Sequence, residues 1–428
     1  MARLARALRG GARAMCSRSE ASASINRSPI TRQMWETRGE SSAGSDGRIA
    51  VTYPFSTDSE MRERYANPWG FVSHGIIFED LDALAGNVAF RHCVDANGDA
   101  PMLVTASVDK IKLVRSITVG EDVEMIGQVI WTGRSSLVIR MTLEQAASDG
   151  HAEACMEANF TFVARDRETK KAAAIAPCEP RTDDEHARFD ACERRYAQLK
   201  WRREVERAQA ARDWARVAAL RDELDGVDAA AQLREDERLS AERAGVAELL
   251  AEAQQALAMP ALAAVDAGTV LMPDTRLENS LICQPQQRNT AGRVFGGFLL
   301  RRAYELAFAC AYTFGGRRAV FRRVDEVTFH APVDVGDVLR FRAHAVRTTS
   351  PGDAAGSDEG TVEIRVDALV MRPERREVSL SNSFEYTFAF ASSSGEVGSK
   401  SRRALPRVLP TNEEEAAKVL RALHNSDE

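Results

Sequence analysis

No apolar run in this 428-residue chain approaches the roughly 20 residues needed to cross a bilayer, so no transmembrane helix is read. Nor does it hold a CxxC pair. Its seven cysteines (Cys16, Cys93, Cys155, Cys178, Cys192, Cys283 and Cys310) are scattered, which favours reduced, mostly buried thiols over a disulfide framework or a zinc site. A surplus of positive charge is also missing. The formal net charge is −6, and a general nucleic-acid binder needs a basic face for phosphates. Proline is absent between Pro180 and Pro260, where only Gly226 and Gly245 interrupt. Acidic residues are absent before Glu20.

The remaining composition is ordinary. With 44% hydrophobic and 28% charged residues, the chain has length and apolar content for two or three domains with real cores. The acid-free start carries Arg3, Arg6, Arg9, Arg13 and Arg18, with Leu4 and Leu8 between them. An Arg-rich, Ser-containing, acid-poor segment of this kind reads as a mitochondrial transit peptide rather than a secretory signal, which would need a longer apolar core. Residues 1–40 are assigned to it, and the expected address is the mitochondrial matrix.

The strongest internal signal is a repeat. Asn67-Pro-Trp-Gly70-Phe-Val-Ser-His74-Gly75 and Asn289-Thr-Ala-Gly292-Arg-Val-Phe-Gly296-Gly297 share the pattern N-x-x-G-x-x-x-[GH]-G, and each runs into an apolar helical stretch. Val108-Asp109 and Val324-Asp325 then precede, by one interval, the matching steps Val119-Gly120 and Val335-Gly336. Four marks in one order imply two copies of one fold. In each copy a helix (GIIFEDLDALAGNVAF; GGFLLRRAYELAFACAYTF) is followed by strands. Leu137, Ile139, Met141 and Leu143 alternate with Arg140, Thr142 and Glu144, as Val362, Ile364, Val366 and Ala368 do with Glu363, Arg365 and Asp367. Period-two alternation marks half-buried antiparallel strands. The class is α+β, a long helix wrapped by an antiparallel sheet, with copies at about residues 50–168 and 268–392.

Between the copies, residues 169–267 are rich in Ala, Arg and Glu. Trp214, Val217, Ala218, Arg221 and Leu224 keep helical spacing up to a break at Gly226, which predicts a charged helical arm. Because it lies outside both repeats, the arm is expected to be dispensable for chemistry. Residues 393–428 form a polar tail ending in a short helix.

Two features can carry chemistry. A glycine pair at a helix start lets a ligand or another backbone approach, and the first-turn N–H groups point outward where they can stabilise an oxyanion. Gly296-Gly297 and, as its counterpart, His74-Gly75 fit this description. Asp82 interrupts the apolar face of the first helix seven residues after Gly75, about two turns on. The equivalent position in the second copy is Tyr304, with Glu305 one step on and rotated about 100° away. Only the first copy has an acid there. Glu79 and Asp80 are expected on a solvated face.

NTAGRVFGGFLLRRAYELA, with its flanks LENSLICQPQQRN and VDEVTFHAPVDVGD, resembles the second hotdog domain of the mitochondrial double-hotdog acyl-coenzyme A thioesterases, the acyl-CoA thioesterase 9 type. GIIFEDLDALAG and VTASVDKIKL resemble that family's first domain. The resemblance implies two tandem hotdog domains paired as a pseudo-dimer, a likeness to enzymes that hydrolyse fatty acyl-CoA, further homo-oligomerisation, and no metal or cofactor beyond the coenzyme A of the substrate. Carried over by position, it pairs Asp82, as base or nucleophile, with Asn289 of the facing domain, and sets the Gly296 and Gly297 amides at the oxyanion. The mirror site of Asn67, His74, Gly75, Tyr304 and Glu305 is then degenerate. Lys110, Arg134, Arg317 and Arg318 are candidates for the CoA phosphates. Two rivals are a hotdog enoyl-CoA hydratase and a non-catalytic acyl-CoA-binding scaffold. For the hydratase motif D-x-N-P-x-H, Asn67-Pro68 is present but His74 falls too far along.

Overall fold

The structure, a computed structural model, describes residues 48–95, 99–146, 151–210, 245–254, 268–289, 292–350, 359–390 and 405–425. The Arg-rich start and the stretch from Trp214 to Gly226 lie outside the described residues.

Each half has, ahead of its long helix, a strand that the sequence reading did not anticipate: β1 (Ile49–Tyr53) in the first and β8 (Leu277–Ile282) in the second. A short helix α1 (Ser59–Tyr65) precedes the first long helix, α2 (His74–Cys93); its counterpart in the second half is α4 (Gly296–Gly315). α2 is buried on most of its circumference, by Ile77, Phe78, Leu81, Leu84, Ala85 and Val88, because sheet and partner helix both cover it. α4 stops at Gly316, whose φ of 61° suits the left-handed cap that a glycine adopts without strain.

After α2 come β2 (Met102–Val108), β3 (Ile111–Leu113), β4 (Val123–Thr132), β5 (Ser136–Ala146) and β6 (Ala152–Arg165). The strand β7 (Thr269–Leu271) opens the second half. After α4 come β9 (Val320–Val324), β10 (Val327–Thr328), β11 (Val338–Thr349), β12 (Gly360–Arg372) and β13 (Glu377–Phe390). One 12-stranded sheet holds both halves in the order β1-β4-β5-β6-β3-β9-β13-β12-β11-β8, with β2 joining β6 to β10. The seam is symmetric: Ile111 pairs with Val324 on one side, and Val327 with Val108 on the other. Two long helices inside one antiparallel sheet are the double hotdog, an α+β fold.

The strand alternation appears as expected, with Leu137, Ile139, Met141 and Leu143 buried inward and Arg140, Thr142 and Glu144 only part-covered. The six described cysteines are free, and Cys155, Cys283 and Cys310 are buried. Near the C-terminus β14 (Arg407–Leu409) runs parallel to β7, and the helix α5 (Glu413–Asn425) packs on β11.

The arm begins as α3 (Asp183–Ala210), and it is docked. Tyr196 stacks on Trp131 with ring centroids 4.1 Å apart, and the Trp131 indole donates to Glu193 at 2.6 Å. Arg195 reaches across the seam between the halves, to Asp109 at 2.6 Å and Glu326 at 3.1 Å.

Glu79 and Asp80 do not lie on a solvated face, because the partner helix and β1 cover that side of α2. Glu79 is 6% exposed and bonded to Arg301 at 2.9 Å. Asp80 is fully buried and accepts from the hydroxyls of Tyr65 at 2.6 Å and Tyr53 at 3.2 Å. A buried carboxylate requires such donors.

Candidate active site

The two Asn-containing loops are built alike. Asn67 Oδ1 accepts the N–H groups of Trp69 and Phe71 at 2.9 and 3.1 Å, and Asn289 Oδ1 accepts that of Arg293 at 3.1 Å. Each turn closes through a glycine in the left-handed region, Gly70 at φ 79° and Gly292 at φ 81°. A side chain would be strained there. The repeated Asn therefore has a structural duty in both halves before any chemical one.

The helix starts are set by mutual approach. A Cβ on Gly297 would stand 3.0 Å from the Glu79 Cα and 3.0 Å from the Asp82 Cβ, so only glycine admits α2 this closely. α4 has no side-chain cap of its own at Phe295. Asp82 supplies one from the other half: its Oδ2 accepts the Gly297 N–H at 2.6 Å. Negative charge at a helix N-terminus is favourable, because the first-turn N–H groups lack intrahelical acceptors. The Gly297 amide thus serves Asp82 rather than the oxyanion expected of it. Its neighbour Gly296 lines a cavity.

The second oxygen of Asp82 accepts the Thr105 hydroxyl at 3.0 Å. Thr105 sits on β2 at a register shift against β6, a bulge that re-aims a side chain. Sequence reasoning missed this residue. Aligning the Val-Asp steps would have set it opposite Phe321, a polar residue against a ring.

Thr105, Gly296, Asn289 and Phe329 line one cavity of about 400 Å³ between the halves, with Arg165, Lys170 and Arg293 as its cations. Asp82 is 1% exposed and lies directly behind this wall. A Cβ on Gly296 would stand 3.1 Å from Asp82 Oδ2 and 3.2 Å from Phe329 Cζ. Glycine at 296 therefore keeps open the gap between the carboxylate and the cavity. A second cavity, of about 460 Å³, lies at the far end of α2 beside Arg91, His92 and Pro177 and holds none of the candidate site residues.

At the mirror positions rings replace polar groups. Gly296, Asp82 and Thr105 correspond to His74, Tyr304 and Phe321, and these pack together with centroids 5.3 to 5.9 Å apart. A Cβ on Gly75 would touch Tyr304 Cδ1 at 3.3 Å, so the crossing is preserved while the acid is not. His74 Nδ1 meets the Tyr304 hydroxyl at 3.2 Å. Burial, with Arg318 nearby, drives the imidazole down to about 4, and burial lifts the Tyr304 phenol above its ordinary range. Glu305 turns away to Arg301 and Arg302, at 2.9 and 2.8 Å.

The four cations nominated for CoA phosphates stand elsewhere than the 400 Å³ cavity. Arg318 lies over Phe71 and Trp69, Arg317 over Phe390, Arg134 in the exposed β4–β5 turn and Lys110 in the β2–β3 turn at the seam. Among the described residues no group of three or more His, Cys, Asp or Glu is placed to hold a metal.

Two hotdog halves in one sheet, with one carboxylate held between them beside a cavity, define a double-hotdog hydrolase of the thioesterase class. The family model of the Thioesterase superfamily matches residues 70–149 and 291–350. The chain is 39% identical to the chloroplastic acyl-coenzyme A thioesterase 2 of Humulus lupulus over 417 residues, 92% of this chain and 87% of that protein. It is 38% identical to the mitochondrial acyl-coenzyme A thioesterase 4 of the same plant, over 92% of this chain and 72% of the relative. With the mitochondrial acyl-coenzyme A thioesterase 9 of Mus musculus it shares 30% identity, over 80% of this chain and 71% of the relative. The chain belongs to the acyl-coenzyme A thioesterase family.

Proposed function

We propose that the chain hydrolyses fatty acyl-CoA at one site per chain, with Asp82 as general base. The observation that carries this is the carboxylate held across the halves, by the Gly297 N–H and the Thr105 hydroxyl, behind a glycine gap into a cavity lined by Asn289. A water in that gap gives a proton to Asp82 and attacks the thioester carbon. The Asn289 side-chain amide and the Gly296 N–H donate to the developing oxyanion, and its collapse expels the CoA thiolate, which takes the proton back from Asp82. Near-complete burial, with both carboxylate oxygens engaged, favours base over nucleophile. The scheme uses only water and groups of the chain itself, so chelators should leave the rate unchanged.

The test is a thiol-release assay on folded variants. Asp82→Asn should lose about 10²-fold or more, since an amide is no base. Asn289→Ala should lose about 10²-fold. Asn67→Ala breaks the same kind of turn in the mirror site and should be mild, as should Glu305→Gln. A dead Glu305→Gln beside an active Asp82→Asn would invert the assignment.

Two finer readings accompany this one. The matrix address rests on the N-terminal Arg series, with mitochondrial names among the relatives and a chloroplastic one beside them. Mass spectrometry of the native protein should find a start near residues 15–45, and an intact Met1 would remove that support. Association of chains rests on an exposed apolar ladder on the second half: Ile282, Val338 and Met371 pair in register up to Val378, with Leu369 opposite Leu380 in the next rung. In the first half Glu144, opposite Glu124, takes the place of Leu369, which lies opposite Arg340, so the apolar rung from Ile282 to Val378 is the part offered to the same face of a second copy. Val378→Glu should lower the mass seen in sedimentation velocity.

A further inference from the structure

We propose that Arg195 of the arm is a positioning residue for hydrolysis: it clasps the two turns whose strands form the wall of the active cavity, and so holds Thr105 and Phe329 in place around Asp82. This rests on the reading of Asp82 as the base.

Arg195 Nη1 donates to Asp109 Oδ2 at 2.6 Å and Nη2 to Glu326 Oε2 at 3.1 Å. Asp109 directly follows β2, and Glu326 directly precedes β10. β2 and β10 are joined by two rungs only, Val108 with Val327 and Ser107 with Thr328. The chain beyond them runs straight into the site. Phe329 N–H donates to the Ala106 carbonyl at 3.0 Å, and the Phe329 ring bounds the Gly296 gap. One residue before Ala106, Thr105 donates to Asp82.

A two-rung ladder between halves is a weak hold, and one guanidinium ties its two strands together at the end away from the site. Its fork suits this use, since two parallel N–H groups reach two carboxylates at fixed separation. Asp109 is anchored in turn: its N–H donates to the Asn159 carbonyl at 2.7 Å. Burial lifts the Asp109 carboxyl to about 6 even with Arg195 beside it, so the arginine is the counter-charge that this site most needs. The arm is itself fixed next to the clasp by the Tyr196–Trp131 stack and the Trp131–Glu193 bond. Among the described residues the mirror arrangement shows no such clasp: Lys110 stands where Glu326 does, and Asp325 meets Arg323 at 3.2 Å. The clasp therefore belongs to the seam as a whole and acts on the side with the acid.

The experiment measures kcat and KM for an acyl-CoA in full-length Arg195→Ala, Arg195→Lys and Glu326→Gln, with Asp82→Asn in parallel and melting curves for each. A displacement well under an ångström around the base should cut kcat about 10-fold in Arg195→Ala while KM stays within about twofold. Arg195→Lys should recover part of that loss, and Glu326→Gln should lie between wild type and Arg195→Ala. Should Arg195→Ala melt below the assay temperature, Glu326→Gln alone decides. An unchanged kcat in every folded clasp variant, with Asp82→Asn inactive, overturns the clasp and leaves the base assignment standing. An active Asp82→Asn overturns that assignment first.

Discussion

Glu79 and Arg301 hold the same place in their two helices, four residues past the second glycine of each repeat, and they meet each other at 2.9 Å. Equivalent positions can touch only on the pseudo-two-fold axis. On that axis two like halves would oppose Glu to Glu or Arg to Arg, so the pair favours the joining of a first half to a second. Arg301→Ala, which strands the nearly buried Glu79, should cost about 3 kcal/mol in urea unfolding. Glu79→Arg should cost more. The double reversal Glu79→Arg/Arg301→Glu should regain part of the loss, but not all, because Glu305 would then face a like charge. No regain in the double variant would remove the pair from this role.

Gly296→Ala inserts one methyl between Asp82 Oδ2 and the Phe329 ring, at 3.1 and 3.2 Å. The helix should form as well or better, since alanine is the stronger helix former. The predicted outcome is a rate at least about 10-fold lower, from blocked access of water to the base, with a melting temperature near that of wild type. A fully active Gly296→Ala would mean that water reaches Asp82 by another path.

Tyr304→Asp restores an acid at the mirror position, yet it should create no second site. The new carboxylate would face Phe321 and Phe78 rather than a threonine, and a buried charge short of its donors is costly. In an Asp82→Asn background the expected result is lower stability and no recovered turnover. Recovery would show that the rings yield.

His74 and His344 are both buried with imidazoles near 4, below the ordinary 6.5. The folded chain therefore binds fewer protons than the unfolded one. The stability from keeping each imidazole neutral is fully present above about 6.5 and is lost as pH falls towards 4, at up to about 1.4 kcal/mol per pH unit for each. Asp109 and Glu363 oppose this, since burial lifts them to about 6 and about 7 and makes the folded state the better proton binder. The readout is thus the difference between wild type and His74→Gln, measured by denaturant at several pH values. That difference should shift in favour of the variant between pH 6.5 and 4.5. A pH-independent difference would place His74 in solvent contact.

Much of this architecture was legible because it is written twice. The repeat marks the helix starts, the Val-Asp and Val-Gly steps locate the strands, and the break in the repeat at Asp82 and Tyr304 separates the two sites. What escaped has physical reasons. β1 and β8 are short edge strands before the repeat marks, where propensity is weak. Glu79 and Asp80 read as solvated because a charged residue usually is; their burial depends on Arg301 and on Tyr53 and Tyr65, which are near only after folding. Thr105 carries no motif, and its aim is set by a bulge. Asn289 was read for its chemistry and Asn67 as a remnant of it, yet a turn accounts for much of the repeat in both copies.

Joining the halves in one chain has a consequence for the rings at His74, Tyr304 and Phe321. A dimer of identical hotdogs carries every substitution in both of its centres, so a change that fills one with aromatics silences the other as well. Here the centres mutate independently. On the function proposed above, one is given wholly to cohesion between the halves while its twin keeps a buried carboxylate and a gap for water, so each polypeptide would hold a single reactive centre.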